Sequence, residues 1–285
     1  MIITDLTEIL RNVVFETIKI TFLVFMMMIV VDLLNVWTKG KLNKFLRQGP
    51  AIKQYVTASA IGALPGCFGA FTNVSLYVHG LITLGALTGA MAAASGDEAF
   101  VMLALFPKTA VILFISLFFL GIIMGWVADL IIRKIKYKPC IDCKEQKFHS
   151  GQQGVAHYIK EHIWKHILKK HLWKTAIWTF AAMLFVETGV AYFHLDTLSA
   201  HYPLALLFIA ALMGLIPESG PHMVFISLYA SGLIPFSVLF TSAFVQDGHG
   251  MLPMLSYSVK DSIILKTINL TMGTTLGLII YFIGF

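Results

Sequence analysis

Charge is scarce in this sequence. Asp, Glu, Lys and Arg make up 13% of its 285 residues, against roughly 25% in soluble domains. Mean hydropathy is correspondingly high, at +0.80. An ordinary soluble domain is excluded, and a polytopic membrane protein is the class that remains. Cysteine is also rare: three residues cannot supply a disulfide framework. No Gly-x-x-x-x-Gly-Lys-Ser/Thr stretch occurs, so a P-loop nucleotide site does not drive the protein directly. The His-Glu-x-x-His pattern of zinc hydrolases is missing as well, which counts against an intramembrane metalloenzyme. The opening residues MIITDLTEILRN carry acidic groups and no small-residue cleavage site, so no cleavable leader is read there.

Long apolar runs take the place of charge. Segments 13–37, 111–132 and 262–285 are each long enough to cross the hydrocarbon of a bilayer. The net charge of +6 does not point to nucleic acid, because sixteen of the 21 Lys and Arg fall in two loops. Lys39, Lys41, Lys44, Arg47 and Lys53 fill one, and eleven residues from Arg133 to Lys174 fill the other. Short basic loops lie in the cytoplasm, so loops 38–53 and 133–174 are expected inside. The first span then runs inward, 54–132 crosses an even number of times, and a helix near 175–194 runs outward. The following loop, HLDTLSAHYP, has no Lys or Arg, as an external loop should. Both termini are expected outside. Three regions follow: a first transmembrane repeat over 1–132, a basic cytoplasmic loop with an amphipathic helix over 133–174, and a second repeat over 175–285.

The repeat rests on two broken stretches, GALPGCFGA at Gly62–Ala70 and GLIPESGPH at Gly214–His222. Laying 62–125 on 214–277, 152 residues on, needs no gap and gives 17 identities in 64 positions. The matches include punctuation: Gly62/Gly214, Pro65/Pro217, Gly80/Gly232, Gly96/Gly248, Lys108/Lys260 and the GxxxG pairs Gly121–Gly125 and Gly273–Gly277. Asp32 in the first span faces Glu187 in the second half at a similar offset. Since the halves begin on opposite sides, they form an inverted repeat, the plan of many secondary transporters. The fold class is therefore an all-α polytopic membrane protein with two inverted-topology repeats and about ten helical elements. Between 54 and 132, four short crossings fit, and so does a re-entrant hairpin plus two spans.

Polar residues gather at the breaks. Cys67 and Asn73 follow the first; Ser95, Asp97 and Glu98 lie on AAASGDEAF; Glu218, Ser219 and His222 on LIPESGPH; Gln246, Asp247 and His249 on FVQDGHG. Ionisable groups at bilayer depth cost several kcal/mol unless paired or hydrated, and so mark function by default. Carboxylate, imidazole and carbonyl donors suit a divalent first-row cation. Asp97, Glu98, Glu218, His222, Asp247 and His249 are the expected metal ligands. Cys67, Asn73, Ser95, Ser219 and Gln246 are expected to support them. Lys108 and Lys260 either snorkel to an interface or act as countercharges. Asp32 and Glu187 are relay or helix-end groups, and the GxxxG pairs read as helix packing. In the cytoplasmic loop, Cys140 and Cys143 with His149 and His157 are a second candidate metal set, although their spacing fits no defined zinc motif.

GALPGCFGAF with SGDEAFVMLALFP, and GLIPESGPH with LIPFSVLFTSAFVQDGHGMLP, resemble a bacterial and archaeal family of ten-span heavy-metal exporters. Members of that family are also labelled manganese transporters or arsenic efflux proteins. The resemblance runs from about residue 14 to the end and implies metal export across a prokaryotic cytoplasmic membrane. Residue chemistry weighs the labels. Arsenite binds thiolates, and only Cys67 lies at depth; the Asp/Glu/His set favours Mn²⁺ or Fe²⁺. The expectation is a secondary exporter of a divalent cation, manganese first, working by proton antiport and alternating access. The metal is its substrate, no prosthetic group is needed, the bilayer is its other partner, and homo-oligomerisation is left open. The alternatives are an arsenite or organoarsenical permease, a channel, and a metalloenzyme.

Overall fold

In a computed structural model, the described residues are parts of 7–26, 50–139 apart from 65–67 and 97, scattered positions between 173 and 184, and 202–284 apart from 219 and 231. Among them every regular element is helical, with no strand. The first half contains α1 (Ala51–Gly62), α2 (Phe68–Val78), α3 (Leu84–Ala92), α4 (Glu98–Leu105) and α5 (Pro107–Lys134). The second contains α6 (Pro203–Met213), α7 (Gly220–Ala230), α8 (Phe236–Val245), a 3-10 turn (Gly248–Gly250), α9 (Met251–Tyr257) and α10 (Val259–Ile283).

Two helices are long and apolar enough to cross a bilayer, α5 with 28 residues and α10 with 25. At 1.5 Å per residue they span roughly 40 Å. The helices from α1 to α4 and from α6 to α9 have 12 residues or fewer, about half the thickness of the hydrocarbon. Their short lengths follow from the Pro and Gly punctuation of the sequence, since neither residue continues a helix well.

Hydrogen bonds fix the directions. Asp129, near the end of α5, accepts from Tyr55 Oη at 2.8 Å, Thr83 Oγ1 at 2.8 Å and the Gly85 amide at 3.1 Å. The starts of α1 and α3 therefore sit at the end of the molecule where α5 finishes. Gln54 Oε1 accepts from the Thr83 amide at 3.0 Å, and Thr83 caps α3 by accepting from the Ala86 amide at 3.0 Å. Between them, α1 and α2 form a hairpin, cross-tied where Asn73 Nδ2 donates to the Ala58 carbonyl at 3.0 Å. The chain thus returns to its entry side before α3 begins. Along α5, a Cβ on Gly121 would stand 2.6 Å from the Gly89 carbonyl oxygen and 2.8 Å from Ala93 Cβ. The GxxxG is a close-packing seam for α3, as expected.

The second half repeats this seam. A Cβ on Gly273 would meet Val245 at 2.5 Å and Phe244 at 2.8 Å, and Gly277 lies against Thr241. α8 therefore runs down α10 as α3 runs along α5. Where α10 begins, Asp261 accepts from Tyr137 Oη at 2.6 Å. Tyr137 lies just past the end of α5, so α5 ends where α10 starts. Glycines 152 residues apart also adopt the same left-handed backbone: Gly96 and Gly248 have φ of 56° and 50°, and Gly80 and Gly232 have 67° and 70°. Side chains rarely tolerate that conformation, which explains why Gly stands at both members of each pair.

The outer faces suit lipid. α5 exposes Ile112, Ile115, Phe119, Ile123, Trp126 and Leu130. On the exposed side of α10, Thr267, Thr271 and Thr275 donate to the carbonyls four residues back, each at 2.7 Å. A hydroxyl facing hydrocarbon must find its partner on its own helix.

Candidate functional site

Four interruptions of helix lie in the middle of this arrangement: the hairpin tips around 63–64 and 214–218, and the breaks around 93–96 and 246–250. They touch one another. Ser95 Oγ donates to the Ala63 carbonyl at 3.2 Å, joining tip to break in the first half. A Cβ on Gly250 would lie 2.6 Å from Ala70 Cβ and 3.1 Å from Met91 Cε. The second break is thus seated on α2 and the end of α3.

In the second half the contact is ionisable. Glu218 Oε1 and His249 Nε2 are 2.8 Å apart, one from the hairpin tip and the other from the break. Both residues are buried. His222, four residues past Glu218 in the first turn of α7, bonds Ser242 Oγ through Nδ1 at 2.8 Å. Its Nε2 is buried and without a hydrogen-bond partner among the described residues. The side-chain oxygens of Gln246 and Asn269 are buried in the same state. A buried polar atom left so costs ~1–3 kcal/mol, and such atoms are the natural places for a ligand to bind.

Asp247, expected as a ligand, has both oxygens engaged by α10. Lys266 Nζ lies 2.5 Å from Oδ2, and Asn269 Nδ2 donates to Oδ1 at 3.1 Å. Lys266 also donates to the carbonyls of Gly214 and Val245. Removing one partner of a buried ion pair costs ~3–5 kcal/mol, so this cluster is a strong tie between tip, break and α10. Lys108 and Lys260, by contrast, are exposed in the first turns of α5 and α10. The buried countercharge is Lys266.

Among the described residues the first half supplies fewer buried charges. Glu98 is fully buried, and its carboxylate lies over Gly96, where an added Cβ would stand 2.1 Å from Glu98 Oε2. Asn73 is fully buried and serves the α1–α2 hairpin. Cys67, Asp97, Ser219, Asp32, Glu187, Cys140, Cys143, His149 and His157 lie outside the described residues. Among the described residues no group of three or more His, Cys, Asp or Glu side chains is gathered in a way that could hold a metal ion. What the structure does bring together is the pair Glu218–His249.

Residues 12–177 and 165–284 match the family described as "Putative, 10TM heavy-metal exporter". The chain belongs to this family. It is therefore a multi-span protein of a heavy-metal exporter family, a transporter class rather than an enzyme class. No curated protein and no solved structure matches it. For a member of an exporter family, charged groups held at helix breaks are the expected place for cargo.

Several residues of this exporter's interior escape a reading based on the repeat. Lys266, Asn269 and Ser242 have no counterpart at Phe114, Leu117 and Ala90. A lone lysine in the apolar run SIILKTINLT was nonetheless a signal in itself, because charge inside a spanning helix is expensive. Asp129 and Asp261 stand near basic helix ends, where an acidic residue looks like ordinary interface decoration.

Proposed function

We propose that this protein exports a divalent metal cation, Mn²⁺ in first place, by proton antiport and alternating access. The observation that carries the reading is the Glu218–His249 pair, 2.8 Å apart where a hairpin tip meets a broken helix. One carboxylate and one imidazole offer an oxygen and a nitrogen donor to a first-row cation. A cation must displace the proton shared by such a pair, so metal and proton compete for one place. That competition is the coupling. His222 Nε2, buried and without a hydrogen-bond partner among the described residues, is not gathered with the pair and is assigned as a further stop on the cargo path. Asp97 and Glu98 are assigned as the first half's share of the cargo path, and Asp247 as the partner of Lys266.

Alternating access is supported by matched ends. On the side where α5 finishes, Tyr77 of the first half meets Asp261 of the second at 2.7 Å. Its repeat-equivalent, Tyr229, stacks edge-on against Phe106 at the start of α5, with centroids 5.0 Å apart. Each tyrosine thus closes one mouth against the helix junction of the other half. In this reading the repeats are inverted and α1–α2 and α6–α7 are re-entrant hairpins entering from opposite faces. The basic end of α5, Arg133 and Lys134, lies in the cytoplasm of a prokaryotic cell, beneath its inner membrane.

The test is transport by the purified full chain in liposomes. Mn²⁺ flux should follow an imposed pH gradient, saturate with metal and vanish in Glu218→Gln. Flux that ignores the pH gradient, or that survives Glu218→Gln and His249→Gln alike, overturns the proposal.

A further inference from the structure

Lys266 has an unusual set of neighbours. Its ammonium carries three N–H donors, and it meets three acceptors: the Gly214 carbonyl, the Val245 carbonyl at 3.0 Å and Asp247 Oδ2 at 2.5 Å. Gly214 caps the C-terminus of α6 and Val245 is the last residue of α8. Carbonyls at such ends lack intrahelical donors and carry the negative end of the helix dipole. Two negative helix ends and a fully buried carboxylate therefore converge on one point. Unwound carbonyls and helix C-termini of this kind are what transporters use to coordinate a monovalent cation. The corresponding positions of the first half are Gly62, Ala93, Ser95 and Phe114, with no charge of either sign.

We propose that the broken backbone of the second half forms a cation cage, and that the ammonium of Lys266 is its permanent occupant, tethered through α10. The cage holds the tip and the break in place: Glu218 follows Gly214 by four residues, and His249 follows Asp247 by two. Lys266 is thus a positioning residue for the Glu218–His249 pair. A cation that other carriers must recruit from solution is here part of the chain. If the protein is the exporter proposed above, on which this last step rests, it moves cargo without binding Na⁺ at that place.

The experiment replaces Lys266 by Ala in the full chain and measures thermal unfolding in choline, Na⁺ and propylammonium chlorides. Propylammonium restores the three methylenes and the ammonium that Lys266→Ala removes. Wild type should unfold at one temperature in all three salts. Lys266→Ala should unfold about 5 °C or more lower in choline and recover saturably with propylammonium, and in part with Na⁺. Adding Asp247→Asn to Lys266→Ala should abolish the recovery. The cage is overturned by a Lys266→Ala protein indifferent to both cations, by recovery that persists with Asp247→Asn, or by saturable Na⁺ stabilisation of wild type. Failure of Lys266→Ala to fold even with propylammonium overturns it too, since a refilled cage should fold. Mn²⁺ flux into liposomes is scored separately. No flux in wild type, with the salt responses as expected, removes the transport reading and leaves the cage standing.

Discussion

The Tyr77 hydroxyl donates to Asp261 Oδ2 at 2.7 Å, joining residues 184 positions apart. Tyr137 donates to the other oxygen of the same carboxylate at 2.6 Å. A hydrogen bond to a charged group contributes ~1.5–3 kcal/mol. Tyr77→Phe should therefore shift the balance toward opening on that side by roughly tenfold or more. Phe106→Ala, which removes the ring under Tyr229, should open the opposite side. Thiol labelling of single cysteines placed near Ser258 and near Tyr202, in membranes sealed in each orientation, reads the two directions. Two variants that move accessibility the same way would contradict paired gates.

Glu218→Gln and His249→Gln should each reduce metal flux by at least ~10-fold, and the double variant should be little worse than either single one. Residues acting as a unit are non-additive in this way. Independent, multiplying losses in liposome flux would mean that the two side chains serve different steps.

Asp129 gathers three donors from α1, α3 and the α3 cap. Asp129→Ala leaves buried donors unanswered and should destabilise the first half by ~3 kcal/mol or more. Tyr55→Phe removes one bond and should cost less, ~1–2 kcal/mol. Unfolding in detergent, followed by circular dichroism, ranks them. An equal loss would show that the Tyr55 bond alone matters.

A bulkier residue at the seams should also be costly. Gly121→Val and Gly273→Val both push a side chain into backbone or core, for ~1–3 kcal/mol or more each. Gly232 has open space around it and a φ of 70°. Gly232→Ala should therefore cost only the left-handed penalty, ~1–2 kcal/mol. The same unfolding assay checks the order.

Cys67→Ser separates the cargo classes. Growth under Mn²⁺ stress should be unchanged in cells that depend on this protein, and arsenite tolerance should be unaffected by either form. Loss of arsenite tolerance on Cys67→Ser would put a thiolate site ahead of the carboxylate and imidazole one.

Much of the plan was legible because it is written in local punctuation. Pro65, Gly96, Pro217 and Gly248 interrupt apolar runs, and interruption at a fixed offset marks two copies of one design. Glu218 and His249 were legible as charges at such breaks. Their pairing was not, since 31 residues separate them and no periodicity records a tertiary contact. The choice between four crossings and a hairpin was also hidden. It turns on contacts such as Asn73 on Ala58 and Tyr55 and Thr83 on Asp129, all bonds between separate helices. Lys108 and Lys260 attracted notice because they match across the repeat, yet among the described residues the buried lysine is Lys266, which matches nothing.

Tyr77 meets Asp261 only after 184 more residues have been made. At ribosomal rates of about 5–20 residues per second, that wait lasts roughly ten to forty seconds. For all of that time the α1–α2 hairpin, too short to cross the bilayer, has no second half to lean on. Asn73, bonded to Ala58 fifteen residues earlier, is the tie it can make by itself. A residue that serves only its own hairpin in the finished protein is thus expected to hold that hairpin together while its partner is still being translated.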